Sequence, residues 1–118
     1  MGPDLTSERC LPYEEGTAPL SGEEARALLS GLDARWHLAE DGRALTRQVD
    51  FKTCAHAMAF LNRLAEIGER EGHHPDFCLM RWNQVGPSLT THAIGRLSRN
   101  DFVLATKLQA VIKPLPEP

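Results

Sequence analysis

The chain has 118 residues, a length that suits one domain with its own hydrophobic core. Acidic residues outnumber basic ones by 16 to 13, and this net charge of -3 argues against general nucleic-acid binding, which needs a basic face. No apolar run approaches the roughly 20 residues of a membrane span, and three unpaired cysteines without a signal-peptide layout predict reduced thiols in a cytoplasmic protein.

The sequence predicts a tail on either side of this domain. Residues 1–19 are rich in glycine, proline and polar residues, which is typical of a flexible lead-in. Residues 114–118 begin with a proline, which stops a helix, and form a short tail. We therefore expect the folded domain to span residues 20–113.

The first elements are a helix and two strands. Ser21-Gly-Glu-Glu24 is a capping box that predicts a helix over 22–32. Strands over 36–39 and 45–51 follow, joined by an Asp-Gly turn. Arg47 interrupts the apolar face of the second strand, so we expect that face to be buried only in part.

The remaining elements repeat this order. Thr53 is the expected N-cap of the longest helix, over 54–71, and Gly72 ends it. Strands over 77–81 and 85–92 follow, and a second capping box at Ser98–Asp101 begins a helix over 99–112. This order predicts an α+β fold, α-β-β-α-β-β-α, with one four-stranded antiparallel sheet and three helices packed on one of its faces.

Two adjacent histidines mark the junction between the long helix and the third strand. His37 and His56 lack obvious partners and fit surface or packing roles, whereas His73 and His74 precede Pro75 at the junction. Proline favours an extended backbone at the residue before it, and successive side chains of an extended segment point to opposite sides. We therefore expect His73 and His74 to have different roles.

The hairpin between the third and fourth strands decides whether a third histidine joins this pair. A turn centred on Asn83-Gln84 would place His92 opposite Pro75. A turn at Gly86-Pro87, the stronger turn signal by composition, would place His92 opposite Arg81. The residue pattern leaves both registers open, and only the first gathers three histidines.

A cluster of imidazoles suits general acid–base chemistry, because imidazole gains and loses protons near physiological pH. Asp101, in the first turn of the last helix, either caps that helix alone or also orients a neighbouring imidazole. Glu69, one helical turn before His73, is either a second such carboxylate or a solvated surface residue. Zinc is the competing interpretation, but the rings of adjacent histidines diverge, which is poor geometry for one ion.

Three stretches of the sequence carry a family resemblance. They are Glu69-Arg-Glu-Gly-His73-His74-Pro75-Asp76, Trp82-Asn83-Gln-Val85 and the run from Thr91-His92 to Asp101-Phe102. An acidic residue four positions before His-His-Pro, an aromatic residue, Thr-His and a following aspartate form a specific combination. Together they resemble the pterin-4a-carbinolamine dehydratase family, and the likeness runs from about Leu20 to Ile112.

The resemblance implies the fold described above and the Asn83-Gln84 turn, so that three histidines converge. It also implies dehydration of 4a-hydroxytetrahydrobiopterin to the quinonoid dihydropterin by histidine acid–base catalysis. One proton goes to the departing hydroxyl and one is taken from a ring nitrogen, without a metal or a redox cofactor. The implied catalytic residues are His73, His74, His92 and Asp101. The implied substrate-binding residues are Glu69, Pro75, Phe77 and Thr91.

Two positions depart from the family pattern. Pro87 stands where the fourth strand of the family usually has a β-branched residue, and it removes one donor from the ladder. Arg96 replaces a usual glycine between His92 and Asp101, so we expect a cation near the pocket and strained backbone at that residue.

These departures motivate an alternative function. The family includes RuBisCO assembly factors of carboxysome-bearing bacteria, as well as dimerisation partners of transcription factors. The alternative is therefore a weakly active or inactive dehydratase-like assembly factor that binds RuBisCO in carboxysome biogenesis. In both interpretations the family implies a homodimer or homotetramer.

Overall fold

A computed structural model describes residues 5–12 and 17–112 of the chain, and over these residues it has an α+β fold with three helices. Helix α1 spans Gly22–Leu29, α2 spans Cys54–Glu71 and α3 spans Arg99–Ile112. The bounds of α2 and α3 confirm the prediction, whereas α1 is three residues shorter than predicted. Its last predicted residues form a turn, in which the Gly31 N–H donates to the Leu28 carbonyl oxygen.

The helix ends follow the predicted capping signals. Ser21 and Glu24 form the full capping box of α1, because each side chain accepts a hydrogen bond from the backbone N–H of the other residue. The Thr53 hydroxyl accepts from the His56 N–H at the start of α2. Gly72 has φ 67° and ends α2 in the left-handed region that favours glycine. The chain therefore leaves α2 directly before His73.

The strands are short and form two antiparallel sheets. Strand β1 spans His37–Leu38, β2 Leu45–Thr46, β3 Val49–Asp50, β4 Leu79–Met80, β5 Gln84–Val85 and β6 Ser88–Leu89. The strand order is β1-β2-β6 in one sheet and β3-β5-β4 in the other. The single four-stranded sheet predicted from the sequence is therefore replaced by two sheets of three strands.

Proline explains where the strands are interrupted. The gap between β2 and β3 lies at 47–48, and the gap between β5 and β6 lies at Gly86-Pro87. Pairing has the same register on both sides, since Leu45 faces Leu89 and Val49 faces Val85. The Arg47 N–H donates to the Pro87 carbonyl oxygen at 3.3 Å, but proline has no N–H to complete the pair.

The hairpin between β4 and β5 turns at neither of the two positions considered. Met80 faces Gln84, so residues 81–83 form the turn and Arg81 adopts φ 59°. The Gly86-Pro87 turn is wrong, and the Asn83-Gln84 turn is displaced because Gln84 already belongs to β5. Asp76 faces Ser88 in the same register, so the chain from β6 to His92 runs back towards the end of α2.

The core lies between the helices and the sheets, and α2 packs against α3 and β5. The expectation that Arg47 interrupts a buried face is wrong, because Arg47 is only 4% exposed and its neighbours on that face are buried as well. Its guanidinium carbon lies 5.8 Å from the centre of the Trp36 ring. Stacking on an aromatic ring lets an arginine enter an apolar layer.

The segment predicted as a lead-in contributes to this core. Leu5 is buried within it, and residues 9–11 bond to α2 and α3. Residues 1–4 and 13–16 of the segment, and the tail at 114–118, lie outside the described residues, and the domain boundaries stay a prediction. Within residues 5–12 and 17–112, no helix is long and apolar enough to cross a membrane.

Candidate active site

A cavity of about 380 Å³ lies where the end of α2 approaches the start of α3 and the loop after β6. His73 and His74 reach it from the end of α2, and His92 reaches it from that loop. The structure therefore brings the three predicted histidines together around one cavity. The volume lies within the range of pockets that bind small molecules.

His73 is fixed by a buried carboxylate. Its Nε2 atom lies 2.7 Å from Oδ1 of Asp101, which is fully buried in the first turn of α3. A carboxylate oxygen accepts hydrogen bonds, so Nε2 of His73 carries the hydrogen and donates it. In the neutral ring Nδ1 is then the atom free to accept a proton.

Asp101 is itself held by two donors. Its Oδ2 atom accepts from the Ser98 N–H at 2.9 Å and from the Thr91 hydroxyl at 2.9 Å. The Thr91 and Ser98 hydroxyls lie 2.6 Å apart, and both side chains are buried. The predicted capping role of Asp101 and its predicted contact with a histidine therefore occur together, one on each oxygen. Such a network fixes the carboxylate and hence the His73 ring.

The other two histidines lie at the open side of the cavity. The Nε2 atom of His74 is 3.4 Å from a Glu69 carboxylate oxygen, and that of His92 is 3.9 Å from an Asp76 carboxylate oxygen. The two imidazole side chains are 60% and 68% exposed. They can therefore exchange protons with solvent, whereas His73 is almost enclosed.

The four residues predicted to bind substrate are placed differently. Thr91 lines the cavity as well as bonding to Asp101. Glu69 does not line it and contacts only its rim, through His74. Pro75 is buried beside Gly68, and Phe77 is half exposed outside the cavity.

Five lining residues were not predicted from the sequence. They are Leu11, Pro12, Gly72, Ala93 and Asn100. Gly72 and Ala93 are neighbours in sequence of predicted histidines, so adjacency could have found them. Leu11 and Pro12 lie in the segment predicted as a lead-in, and no local pattern indicates that it returns to the site.

Neither departure from the family pattern lines the histidine cavity. Arg96 lines a different cavity, beside Leu97 and the start of α1, and Pro87 lies between the two sheets. The expected strain at Arg96 is wrong, because Gly95 takes the positive φ of this loop, at 64°. The cation therefore lies outside the predicted pocket.

No group of three or more histidine, cysteine, aspartate or glutamate side chains within residues 5–12 and 17–112 is placed to hold a metal ion.

Comparison with known proteins identifies the family. The model of the pterin 4 alpha carbinolamine dehydratase family matches residues 18–111. The chain belongs to this family. It is 42% identical to a Nitrosomonas europaea protein provisionally named as a pterin-4-alpha-carbinolamine dehydratase, over 93% of this chain and 95% of that protein. A Nitrosomonas eutropha protein of the same provisional name is 41% identical, over 92% of this chain and 94% of that one.

Solved structures extend the dehydratase likeness to three dimensions. A transcriptional coactivator/pterin dehydratase from Brucella melitensis superposes with a TM-score of 0.75 at 29% identity, over 80% of this chain and 98% of that chain. A pterin dehydratase-like protein described as a RuBisCO assembly factor in the alpha-carboxysome superposes with a TM-score of 0.56 at 23% identity, over 64% and 87%. At that identity the second likeness shows the fold alone.

Proposed function

We propose that this protein dehydrates 4a-hydroxytetrahydrobiopterin to the quinonoid dihydropterin by histidine acid–base catalysis. The observation that carries the proposal is the convergence of His73, His74 and His92 on one cavity, with Asp101 buried behind His73. The family membership supports the substrate class. We further propose that the enzyme acts in the cytoplasm.

The reaction needs two proton transfers. The cavity offers one enclosed histidine, His73, and two exposed histidines, His74 and His92. The C4a–O bond breaks as a proton joins the departing hydroxyl, and water leaves. A ring nitrogen of the pterin gives up a proton, and its electron pair forms the new double bond to C4a. The number of protons on the enzyme is therefore unchanged after one turnover.

The environments of the histidines support a division of roles. His73 has its Nε2 hydrogen fixed on Asp101, so Nδ1 is its proton acceptor, and the buried carboxylate stabilises the imidazolium that forms. We therefore propose His73 as the general base. His74 and His92 lie at the exposed rim, where a general acid can take up a new proton from solvent after each turnover.

A dehydratase assay tests the proposal directly. Chemically generated 4a-carbinolamine is mixed with the protein, and formation of quinonoid dihydropterin is followed by its absorbance. We expect the wild-type protein to accelerate the reaction over the uncatalysed rate. The rate with His73→Gln should be about 10²–10⁴-fold lower than with wild type, the range typical of acid–base residues. A wild-type rate equal to the uncatalysed rate would overturn the proposal.

The RuBisCO assembly role stays an alternative prediction. Pro87 and Arg96 give it less support once their positions in the fold are considered. Pro87 and Arg96 lie outside the lining of the histidine cavity, so neither obstructs it. Capture of RuBisCO from a lysate by a protein without dehydratase activity would favour the alternative. Its carboxysome association is proposed only in that case.

Self-association is part of the proposal as well. Met80 and Trp82 are exposed apolar residues on and beside β4, which is the edge strand of its sheet, and Phe77 is exposed just before them. An unpaired strand edge with apolar side chains is a pairing surface for a second copy. We expect light scattering after size exclusion to give the mass of a dimer or tetramer, and a monomer at micromolar concentration would contradict this.

A further inference from the structure

Residues 9–12, which we call the N-terminal strap, lie across the junction of α2 and α3. The first attachment of the strap is at Asn100, in the first turn of α3. The Leu11 N–H donates to Oδ1 of Asn100 at 2.8 Å, and Nδ2 of Asn100 donates to the Leu11 carbonyl oxygen at 2.5 Å. Asn100 is buried, so this reciprocal pair satisfies polar groups that would otherwise lack partners.

The second attachment is at Glu71, the last residue of α2. Its Oε1 atom accepts from the Cys10 N–H at 2.9 Å, and Oε2 lies 2.9 Å from Nε of Arg9. The Glu71 side chain is almost wholly buried, and Lys107 of α3 lies 3.5 Å from the same carboxylate. Hydrogen bonds that involve a buried charged group are stronger than neutral ones. The strap is therefore held at two successive residues of its backbone.

Both attachments lie next to the proposed catalytic groups in sequence. Glu71 is two residues before His73, and Asn100 is adjacent to Asp101. The strap is thus fixed to the same two helix ends that bring His73 and its carboxylate together. Leu11 and Pro12 then line the cavity beside the histidines.

We propose that Leu11 and Pro12 form the apolar wall against which one flat face of the pterin ring packs, so that the strap sets the affinity for substrate. This inference rests on the proposed function. The rest of the lining is mostly imidazole and polar groups, with Gly72 and Ala93 as the other apolar residues. Leu11 is 65% exposed, so a bound ring can cover apolar surface that faces water in the free protein.

Two backbone anchors make this wall rigid before substrate arrives. A preformed wall binds more tightly than a mobile one, because less conformational freedom is lost on binding. Leu11 and Pro12 carry no group that transfers a proton. We therefore infer that the strap acts on binding and leaves the chemical step to the histidines.

The test compares Leu11→Ser with Met58→Ser, which removes an apolar side chain of α2 that is 45% exposed and lies outside both the cavity lining and the proposed pairing surface. For Leu11→Ser we expect KM for the carbinolamine to rise about tenfold, which corresponds to about 1.4 kcal/mol, with kcat within twofold of wild type. The dissociation constant for 7,8-dihydrobiopterin, measured by titration calorimetry, should rise by the same factor. Met58→Ser should change neither constant.

Anchor variants separate the position of the strap from its side chains. Glu71→Gln keeps an oxygen that accepts from the Cys10 N–H, whereas Glu71→Ala removes it. We expect the alanine variant to weaken dihydrobiopterin binding about as much as Leu11→Ser, and the glutamine variant to weaken it less than threefold. Circular dichroism and urea unfolding confirm that each variant is folded.

The outcomes distinguish this inference from the proposed function. If the wild-type protein turns over the carbinolamine but Leu11→Ser leaves KM and the dissociation constant unchanged, the strap inference is wrong and the dehydratase function stands. A fall in kcat at constant KM would also overturn it, since the strap would then act on the chemical step. If wild type neither binds dihydrobiopterin nor accelerates dehydration, both are wrong.

Discussion

Replacing Asp101 by asparagine tests the proposed pairing of a buried carboxylate with the base. The substitution keeps the shape of the side chain but turns one oxygen into an NH2 group. In the wild-type protein the two carboxylate oxygens accept from His73, Thr91 and Ser98. If the remaining oxygen keeps the Thr91 and Ser98 donors, the NH2 group faces Nε2 of His73.

An NH2 group cannot accept, so the His73 ring must move its hydrogen to Nδ1 to keep a hydrogen bond. Nδ1 is the atom that we propose takes the proton from the pterin, and it would then be blocked. Acid–base groups contribute about 10²–10⁴-fold to rate. We therefore expect kcat of Asp101→Asn to fall at least about hundredfold, which corresponds to about 2.7 kcal/mol of barrier.

The same contacts set the cost in stability. Hydrogen bonds to a charged acceptor contribute about 1 kcal/mol more than neutral ones, so losing the charge should cost about 2 kcal/mol over the Thr91 and Ser98 bonds together. A domain with about 5–15 kcal/mol of total stability stays folded after that loss. Asp101→Ala would instead leave the buried donors without an acceptor. A loss of activity in that variant could then come from unfolding, so it is the less informative variant.

The assay is the rate of quinonoid dihydropterin formation, with urea unfolding to confirm that the variant is folded. Asp76→Asn is the matched control, because its carboxylate is exposed and lies 3.9 Å from Nε2 of His92. An exposed pair contributes little, and we expect less than a threefold change in kcat. A folded Asp101→Asn variant with kcat within threefold of wild type would refute the reasoning.

Three further predictions concern other parts of the fold. Burial, together with the nearby Glu71 carboxylate, raises the pKa of Cys10 to about 12, so its thiolate fraction at pH 8 is about 10⁻⁴. Mass spectrometry after treatment with iodoacetamide should therefore find the exposed Cys54 and Cys78 alkylated long before Cys10 is. Desolvation opposes ionisation of Glu71, but the hydrogen bonds from Cys10 and Arg9 and the positive charge of Lys107 together outweigh it and lower the pKa of Glu71. The contribution of Glu71 to stability is therefore present above the ordinary value of 4.5 and is lost as pH falls through the lowered value. The stability deficit of Glu71→Gln in urea unfolding should therefore be larger at pH 7 than at pH 4, and an equal deficit would contradict the ion pairing. Pro87→Val adds an N–H that can bond across the gap between the sheets, so we expect a slowly exchanging amide at this position. The free energy of unfolding should change by less than about 1 kcal/mol, because a backbone hydrogen bond is gained and the stiffness of proline is lost. Rapid exchange of this amide would show that proline does not cause the gap.

The helices could be predicted from sequence because their signals are local. Thr53 and Gly72 bound α2, and each acts through its own backbone and the next turn. Such signals need no knowledge of the rest of the fold. Helix α1 ends at Leu29, and the next residue is Ser30, not a glycine. Because this end has no comparable local signal, the sequence predicts a helix that is three residues too long.

The sheets were harder because register depends on partners that are distant in sequence. Gly86-Pro87 is a strong turn signal by composition, yet Pro87 lies within a run of pairing and interrupts it. The turn falls at residues 81–83, where Arg81 takes a positive φ that few non-glycine residues adopt. Contacts across the sheet override the local preference of these residues.

The candidate site shows the same difference between local signals and contacts that are distant in sequence. The three histidines and Asp101 were singled out from the sequence, because their clustering and helix position are visible there. The strap was not, since the bonds of Leu11 to Asn100 join residues whose local patterns give no hint of each other. Its polar partners look like ordinary helix-end residues until the fold buries them.

The bonds between Leu11 and Asn100 span 89 positions of the chain. Contacts of such long range cost entropy to close, because a large loop must lose its freedom when they form. The wall reaches its place beside the histidines only when the strap meets the start of α3. A ligand bound in the cavity would therefore report that these two distant segments have come together.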